Sequence, residues 1–544
     1  MNQSAAESAR KTLTGGAAAV EALRREGVEA VFGLISVHML PIYDALRASP
    51  SIRLYIPRHE MAGGFMADAY SRVSGRPGVY LTSTGPAAAN SMGAVIEAYS
   101  CGARVLQITS EIDSKRLGRG MQDLHEVRDQ RRMFEATGVR VRRAATPEEI
   151  APAISEAMRD LGVGRPVPQV VEIPIDAQYA EASVAWPEAP TPEPPAPNDA
   201  DIASAAGLLA GAERPALWIG GGAVNAGAFD EVARVAERLG APIFTTRGGR
   251  GILNEDHPLV VGNYFGEKPA LTYLQTADAI LAVGTKFSWH STAQFDFRPS
   301  GRIARVDIDP AMLEQNFPAA VAIRADARLA LSALAERLEK EKGKAPKDAA
   351  ERIGALRERL RADFREHRPL NAALMDALES AAPPERIVVT DTTMPAYWGA
   401  NQYLPVRARR GFVTARLSAI GPGLPMALGA QAAAPDAPVL CIVGDGGLMC
   451  HLGELATAVQ EKLPVVVVIF NNRGYGVIEW LQDKMVEGRR FATELHTPDF
   501  VKVAEAFEIA GETARTPEEL KAAARRGFDA RAPFVIDYVG EFDA

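Results

Sequence analysis

Asp445 and Asn472 are the residues whose types and spacing point most directly to chemistry. The run 438–447, PVLCIVGDGG, is apolar and strand-like until it breaks into Gly444-Asp445-Gly446-Gly447. A helix-like HLGELATAVQ follows, and the next apolar run, PVVVVIF, ends in Asn471-Asn472-Arg473-Gly474. Two successive strands joined by a helix run parallel with a right-handed crossover. Asp445 and Asn472 therefore leave the sheet at the same edge, at the carboxyl ends where α/β sheets take ligands. A hard cation such as Mg²⁺ takes an octahedron of oxygens and commonly shares it with phosphates. A carboxylate, an amide oxygen, a loop carbonyl, a pair of diphosphate oxygens and water complete that set. The glycines at 444, 446 and 447 leave room for a phosphate to approach the backbone ahead of a helix. Either motif alone is also what an ordinary turn looks like, because Gly, Asp and Asn dominate turns.

The bulk composition limits what else the chain does. Its 544 residues are too many for one core. At 47% hydrophobic and 24% charged they have the balance of a globular protein. A net charge of −8 gives no global attraction for nucleic acid or an anionic membrane, so an anionic ligand needs a metal or local backbone amides to hold it. Cys101, Cys441 and Cys450 have neither disulfide-framework nor metal-ligand spacing, and Cys441 reads as a small core residue within a strand. The first residues, MNQSAAESARKTL, lack the apolar stretch of a signal peptide, and the run 463–470 is too short to span a membrane. A cytoplasmic, reduced protein is the expectation.

The elements that must position these residues alternate between β-rich apolar runs and Ala/Glu/Arg-rich helical stretches, the pattern of doubly wound parallel α/β sheets. Strands are expected at 29–35, 78–83, 104–109 and 168–175, with a helix at 16–26 capped by Thr14. A second block has strands near 215–219, 241–245, 279–283 and 303–307; a third has them near 387–390, 438–443, 464–470 and 533–538. The Pro-rich stretch 186–198 reads as a semi-extended linker, and the charged, helical 336–368 as a second seam. The expectation is thus an α/β protein of three domains, at 1–185, 199–335 and 369–544. The first and third show no convincing sequence repeat.

An Asn-Asn pair whose second member follows the Asp of Gly-Asp-Gly by 27 residues resembles the signature of thiamine-diphosphate (ThDP) enzymes. The resemblance extends over essentially the whole chain, in the order pyrimidine-binding, central and diphosphate-binding domain. It implies that Asp445, the Asn472 side chain and the Gly474 carbonyl are Mg²⁺ ligands. Gly444, Gly446, Gly447 and Tyr475 then belong to the diphosphate-binding segment, and Thr392 and Thr393, in VVTDTTMP, contact the diphosphate. In LSAIGPGLPMALGA the Ser418 carbonyl accepts from the aminopyrimidine amine, and Ile420 wedges between the cofactor rings; on its own the loop also reads as the opening of a core helix. The segment PRHEMAGGFMADAYSRVSG resembles the family's Arg-His-Glu segment. It implies that Glu60 hydrogen-bonds the aminopyrimidine and so promotes proton loss from the thiazolium carbon. In such enzymes the counterparts of Glu60 and Asp445 come from different subunits, which implies a homodimer or homotetramer.

Within the family, TGGAAAVEALRREGVEAVFGL, RHEMAGG, STGPAAAN and DIDPAMLEQN resemble the acetolactate synthase-like branch of decarboxylases, carboligases and lyases. That implies decarboxylation of a small 2-oxo acid, with or without ligation to a second carbonyl. The alternative is a benzaldehyde lyase-like cleavage or formation of acyloins or diketones without obligatory decarboxylation. For it speaks His38, in GLISVHMLP, where such lyases carry a histidine; against it stands Ile35, where their companion histidine is expected. His38 relaying a proton and Gln122, in RGMQDLHE, hydrogen-bonding the substrate oxygen are candidate catalytic residues beside Glu60. Either is also readable as a structural side chain. Leu481 falls where acetolactate synthases carry an acceptor-selecting tryptophan, with Trp480 one place away. IGGGAVNAG, at 219–227, is not a dinucleotide fingerprint, and FAD is not predicted. A non-catalytic ThDP-binding paralogue is the remaining alternative, and it has no use for Glu60.

Overall fold

The computed structural model describes residues 11–186, 193–265, 267–341 and 345–543. Residues 1–10, at the N-terminus, and 187–192, within the expected linker, lie outside the described residues. The chain divides into two compact units. The first comprises residues up to 193 together with 424–436 and 450–463; the second comprises 194–423, 437–449 and 464 onward.

The first unit contains a parallel sheet in the order Arg53–Tyr55, Ala30–Gly33, Gly78–Thr82, Val105–Glu111, Gln169–Pro174, Arg140–Arg143. Lys11–Thr14 pairs antiparallel with Glu181–Val184 beside it. The helix Gly15–Arg25 starts where a capping threonine predicts, with Thr14 Oγ1 accepting from the Ala17 amide. Its last turn carries Arg24 and Arg25, which suits the negative end of the helix dipole. The segments 424–436 and 450–463 join this unit through close packing: a Cβ at Gly429 would lie 2.1 Å from the Met66 carbonyl oxygen.

The second unit contains two sheets, each six-stranded and parallel. One has the order Val260–Gly262, Ile243–Thr245, Pro215–Ile219, Ala279–Val283, Arg302–Asp307, Val321–Arg324. The other has the order Phe412–Thr414, Ile387–Thr390, Val439–Gly444, Val465–Phe470, Phe534–Tyr538, Ala510–Ala514. The short edge strands at 53–55, 140–143, 260–262, 321–324, 412–414 and 510–514 escape a reading based on apolar runs, and most carry charged or exposed residues.

Numbered by their order along the chain, the strands of the first unit's sheet and of the last sheet lie in the same sequence, 2-1-3-4-6-5. The chain winds to one side of its first strand and then returns to the other. That reversal opens a crevice at the carboxyl ends of strands 1 and 3, where ligands collect in open α/β sheets. In the last sheet these are Ile387–Thr390 and Val439–Gly444, and in the first Ala30–Gly33 and Gly78–Thr82.

The central sheet packs around Trp218, which is fully buried and stacks on Phe265 with ring centroids 4.3 Å apart. Phe287 and Phe297 meet it edge-on. The helices Ala327–Lys340 and Ala349–His367 supply Leu334, Leu338, Ile353 and Leu360 to this same core. Truncating a buried aromatic costs about 3–5 kcal/mol. Trp218→Ala is therefore expected to lower the urea midpoint of the second unit's transition, followed by far-ultraviolet circular dichroism; an unshifted midpoint would remove Trp218 from the stabilising core.

Candidate active site

Asp445 follows directly on the strand Val439–Gly444, and Asn472 follows the neighbouring parallel strand Val465–Phe470 after one intervening residue. Asp445 is buried, and its Oδ2 accepts from the Gly474 amide at 3.0 Å. Burial pushes its carboxyl up to about 6 against the opposing pull of the Gly446 and Gly474 amides, and the negative charge of Asp537 adds to the rise. The Asn472 side-chain oxygen stands 3.3 Å from Asp445 Oδ1 and 2.9 Å from the Gly474 carbonyl oxygen.

Three acceptors that face one another with no proton between them repel, and two arrangements relieve this. Either the Asn472 amide turns so that its NH₂ donates to both oxygens, or a cation sits among them. Oxygens at adjacent corners of an octahedron with metal–oxygen bonds near 2.1 Å are about 3 Å apart, close to both separations from the Asn472 oxygen. The donor set of carboxylate, amide and carbonyl oxygens is that of a hard cation. Among the described residues no group of three or more His, Cys, Asp or Glu is gathered as a softer metal would want.

The glycines of this turn serve the protein's own side chains as well as any phosphate. A Cβ at Gly446 would lie 2.7 Å from the Tyr475 ring; at Gly447, 3.1 Å from Asp391 Oδ2; at Gly444, 3.1 Å from Thr393 Oγ1. Asp391, buried at the end of the strand Ile387–Thr390, accepts from the amides of Thr392, Gly421 and Gly423. Desolvation raises its pKa, while these amides oppose the shift. The Thr392 hydroxyl donates to the Ala419 carbonyl at 2.8 Å. Together they pin the loop 415–422 over the crevice. Ser418 there has φ 57°, and its buried Oγ has no hydrogen-bond partner, while Ile420 stands 42% exposed. An exposed isoleucine and an unpaired hydroxyl on a firmly held loop fit a ligand with apolar rings and polar substituents. Sequence reasoning passed over Asp391, although an Asp directly after VVT carries the same strand-end signal as Asp445.

In the first unit, Glu60 opens the helix Glu60–Ser74, where an acidic residue suits the positive helix end. Its Oε2 accepts from Asn90 Nδ2 at 3.1 Å, and its side chain remains partly accessible. His59 caps the helix, its Nδ1 accepting from the Met61 amide. Asn90 lies on the helix Pro86–Asn90, which follows Gly85 at the end of the strand Gly78–Thr82. Gly85 has φ 64°, and a Cβ there would lie 2.1 Å from the His125 carbonyl oxygen, so this turn admits only glycine.

Comparison with known proteins bears on both clusters. Residues 13–133 match the N-terminal TPP binding domain of thiamine pyrophosphate enzymes, 202–334 the central domain and 391–538 the C-terminal TPP binding domain. A probable 2-ketoarginine decarboxylase of Pseudomonas aeruginosa is 38% identical over 525 residues, which cover 95% of this chain and 92% of that protein. A probable acetolactate synthase large subunit of Methanocaldococcus jannaschii is 31% identical over 559 residues, covering 97% of this chain and 92% of that protein. The acetolactate synthase large subunit of Corynebacterium glutamicum is 30% identical over 552 residues, covering 98% and 87%. The chain belongs to the thiamine pyrophosphate enzyme family. It is a ThDP-dependent enzyme of the 2-oxo-acid decarboxylase and acetolactate synthase type, built from the three α/β domains of that family.

His38 follows the strand Ala30–Gly33, is 6% exposed, and has a buried Nδ1 with no partner. Burial lowers its pKa and nearby His125 lowers it further, against the opposing charge of Asp123. The ring of His125 lies 5.1 Å from that of His38, centroid to centroid, and its Nδ1 is also buried without a partner. Ile35, where a lyase would carry its second histidine, is 62% exposed. The second imidazole thus comes from a different loop, which no spacing in the sequence announces. Gln122 is exposed with φ 56° and makes none of the described hydrogen bonds. The buried glutamine of this region is Gln130, whose amide bonds the Gly85 amide, Thr84, the Ser110 carbonyl and Glu172.

Trp480 packs on Trp398 with ring centroids 5.1 Å apart, while Leu481 is half-buried beside it. Trp480 also lines a cavity of about 410 Å³ that reaches Asn472 and Met394. Glu479, Asp483, Glu541 and Arg490 are the charged residues of its wall, with Arg490 paired to Asp483 and 3.5 Å from Glu479. None of these was singled out as a site residue from the sequence. No helix among the described residues is long and apolar enough to cross a membrane.

Proposed function

We propose that this enzyme decarboxylates a 2-oxo acid, with Mg²⁺ and ThDP held by the residues of the last sheet and Glu60 as the activating carboxylate. The oxygen triangle of Asp445, Asn472 and Gly474 is the observation that carries this reading: it is a hard-cation site beside the crevice where an open α/β sheet takes a ligand. Asp445, Asn472 and the Gly474 carbonyl would hold the metal. Thr393, Tyr475 and the turn Gly444–Gly447 would border the diphosphate, and the pinned loop with Ser418 and Ile420 the rings. When bound, the cofactor supplies an electron sink for cleavage of the bond next to the substrate carbonyl.

The protein's own part is to orient and to move protons. Glu60 is held by Asn90 with its carboxyl partly accessible, so that it can share a proton with a ring nitrogen. His38, whose buried Nδ1 has no partner, could exchange a proton with an alcohol or alkoxide oxygen. A homo-oligomer, in which Glu60 of one subunit serves the metal cluster of another, is the assembly this reading requires.

The cavity beside Asn472 carries three carboxylates to one guanidinium, which favours a cationic end group on the substrate. One relative is named as a probable 2-ketoarginine decarboxylase. Carbon dioxide release from aliphatic, aromatic and guanidino 2-oxo acids, with and without an aldehyde acceptor, tests the reading. Release from at least one acid is expected, with the guanidino acid turned over most efficiently. The His38–His125 pair favours acyloin cleavage as a second reading, and cleavage or ligation without any release of carbon dioxide would replace the first by it.

A further inference from the structure

The link between the strand Arg53–Tyr55 and the helix Glu60–Ser74 has no ladder of its own, so its backbone groups need partners from elsewhere. The helix Glu454–Gln460 provides them. Glu454, 1% exposed, accepts from the Arg58 amide through Oε1 at 2.9 Å, and the nearby His59 amide also favours its charged form. Its Oε2 accepts from the Thr457 hydroxyl at 2.7 Å, which holds the carboxylate in one orientation.

Glu461, at the end of that helix, accepts from the Ile56 amide at 3.2 Å, and its backbone carbonyl accepts from the Arg53 guanidinium at 2.8 Å. Arg58 donates to Gln460 at 2.7 Å. The ring of His59 meets that of His451 edge-on at 5.8 Å. Every residue of the link except Pro57 is therefore tied to 451–461. The deepest ties fall on the two amides immediately before Glu60.

We propose that Glu454 is a positioning residue for Glu60: by accepting the Arg58 amide, with the His59 amide beside it, it fixes the direction in which the chain enters the helix that Glu60 opens. This rests on the reading of Glu60 as the activating carboxylate. A buried carboxylate is costly unless ionic hydrogen bonds compensate it. A charged side chain kept here, on a helix whose other buried residues are Leu455, Thr457 and Ala458, has a purpose that apolar packing does not serve. Glu60 is fastened by its own side chain only to Asn90 among the described hydrogen bonds, so the direction of its backbone decides where its carboxyl stands. Without Glu454, the orphaned amides of Arg58 and His59 turn toward water, and the first turn of the helix follows them.

The test compares Glu454→Ala, Glu454→Gln and Glu60→Gln in the full-length protein. Amide hydrogen exchange, without cofactor, is followed by mass spectrometry over a peptide spanning residues 53–61. With ThDP and Mg²⁺ bound, deuterium exchange at the cofactor's C2 position is followed by quenched-flow NMR, which needs no substrate. Glu454→Ala is expected to speed exchange at the Arg58 and His59 amides by about tenfold or more. It should slow C2 exchange by about 10- to 100-fold, with ThDP affinity within about threefold of the parent. Glu454→Gln keeps one acceptor oxygen and should restore most of the C2 rate, and it gives the same comparison should the alanine variant fail to fold.

Unchanged amide exchange in both variants would overturn the proposal. So would faster amide exchange with an unaltered C2 rate, because Glu454 would then only satisfy two buried amides. Glu60→Gln separates the two readings: if it leaves C2 exchange intact, the role of Glu60 fails, while the amide measurements still report whether Glu454 holds the link.

Discussion

Glu60→Gln is expected to reduce turnover by a factor on the order of 10²–10⁴, the range contributed by a positioned acid–base group, while ThDP still binds. The substitution keeps the size of the side chain and its hydrogen bond with Asn90, and glutamine remains acceptable at a helix start. What it removes is a proton that can be shared with a ring nitrogen. Isothermal titration with ThDP and Mg²⁺ alongside a carbon dioxide assay separates the two properties. Turnover within about threefold of the parent would exclude Glu60 as a proton-transfer group.

Asp445→Ala tests the proposed metal end of the site. Partners that merely orient a metal ligand typically contribute 10- to 100-fold in affinity, so loss of a ligand should weaken Mg²⁺-dependent ThDP binding by about 100-fold or more. The variant also releases the Gly474 amide from its acceptor, and with it the turn that presents the Gly474 carbonyl. Binding should fail at micromolar cofactor and return in part at high Mg²⁺. Retained affinity would place the metal elsewhere and leave the Asn472 oxygen to be satisfied by turning its amide.

The parts of this site that the sequence displays are those whose chemistry and position coincide. Asp445 and Asn472 are legible because each is an oxygen-bearing side chain of a type that can ligate a metal, at the end of a long apolar strand. Glu60, Thr393, Ser418 and Ile420 come into view through resemblance, and the structure places each at the end of a strand or on a loop beside one, apart from Glu60, which opens a helix. His125 was out of reach because its relation to His38 depends on how the loop 112–129 folds back to Gly85, and no local pattern encodes that return. Gln122 attracted attention in the same loop, yet it is solvent-facing, while the amide that organises the region belongs to Gln130.

The strands missed from the six-stranded sheets lie at the sheet edges and run only three to five residues, too short for an apolar run to stand out. The shared winding of the first and last sheets is likewise invisible as a repeat, because topology constrains which positions are buried and not which residues fill them.

The interleaving of the two units also sets a timetable. The first unit needs the segments 424–436 and 450–463, which are made about 230 to 270 residues after its own first stretch ends at 193. At some 5–20 residues per second, that stretch waits for tens of seconds during synthesis with the partners of Ile56, Arg58 and His59 still untranslated. The nascent N-terminal domain therefore emerges as an unfinished body whose open face invites misassociation. It is sealed only when the ribosome has passed the turn 444–447, so the part of the chain that carries Glu60 reaches its final form no earlier than the part that carries Asp445.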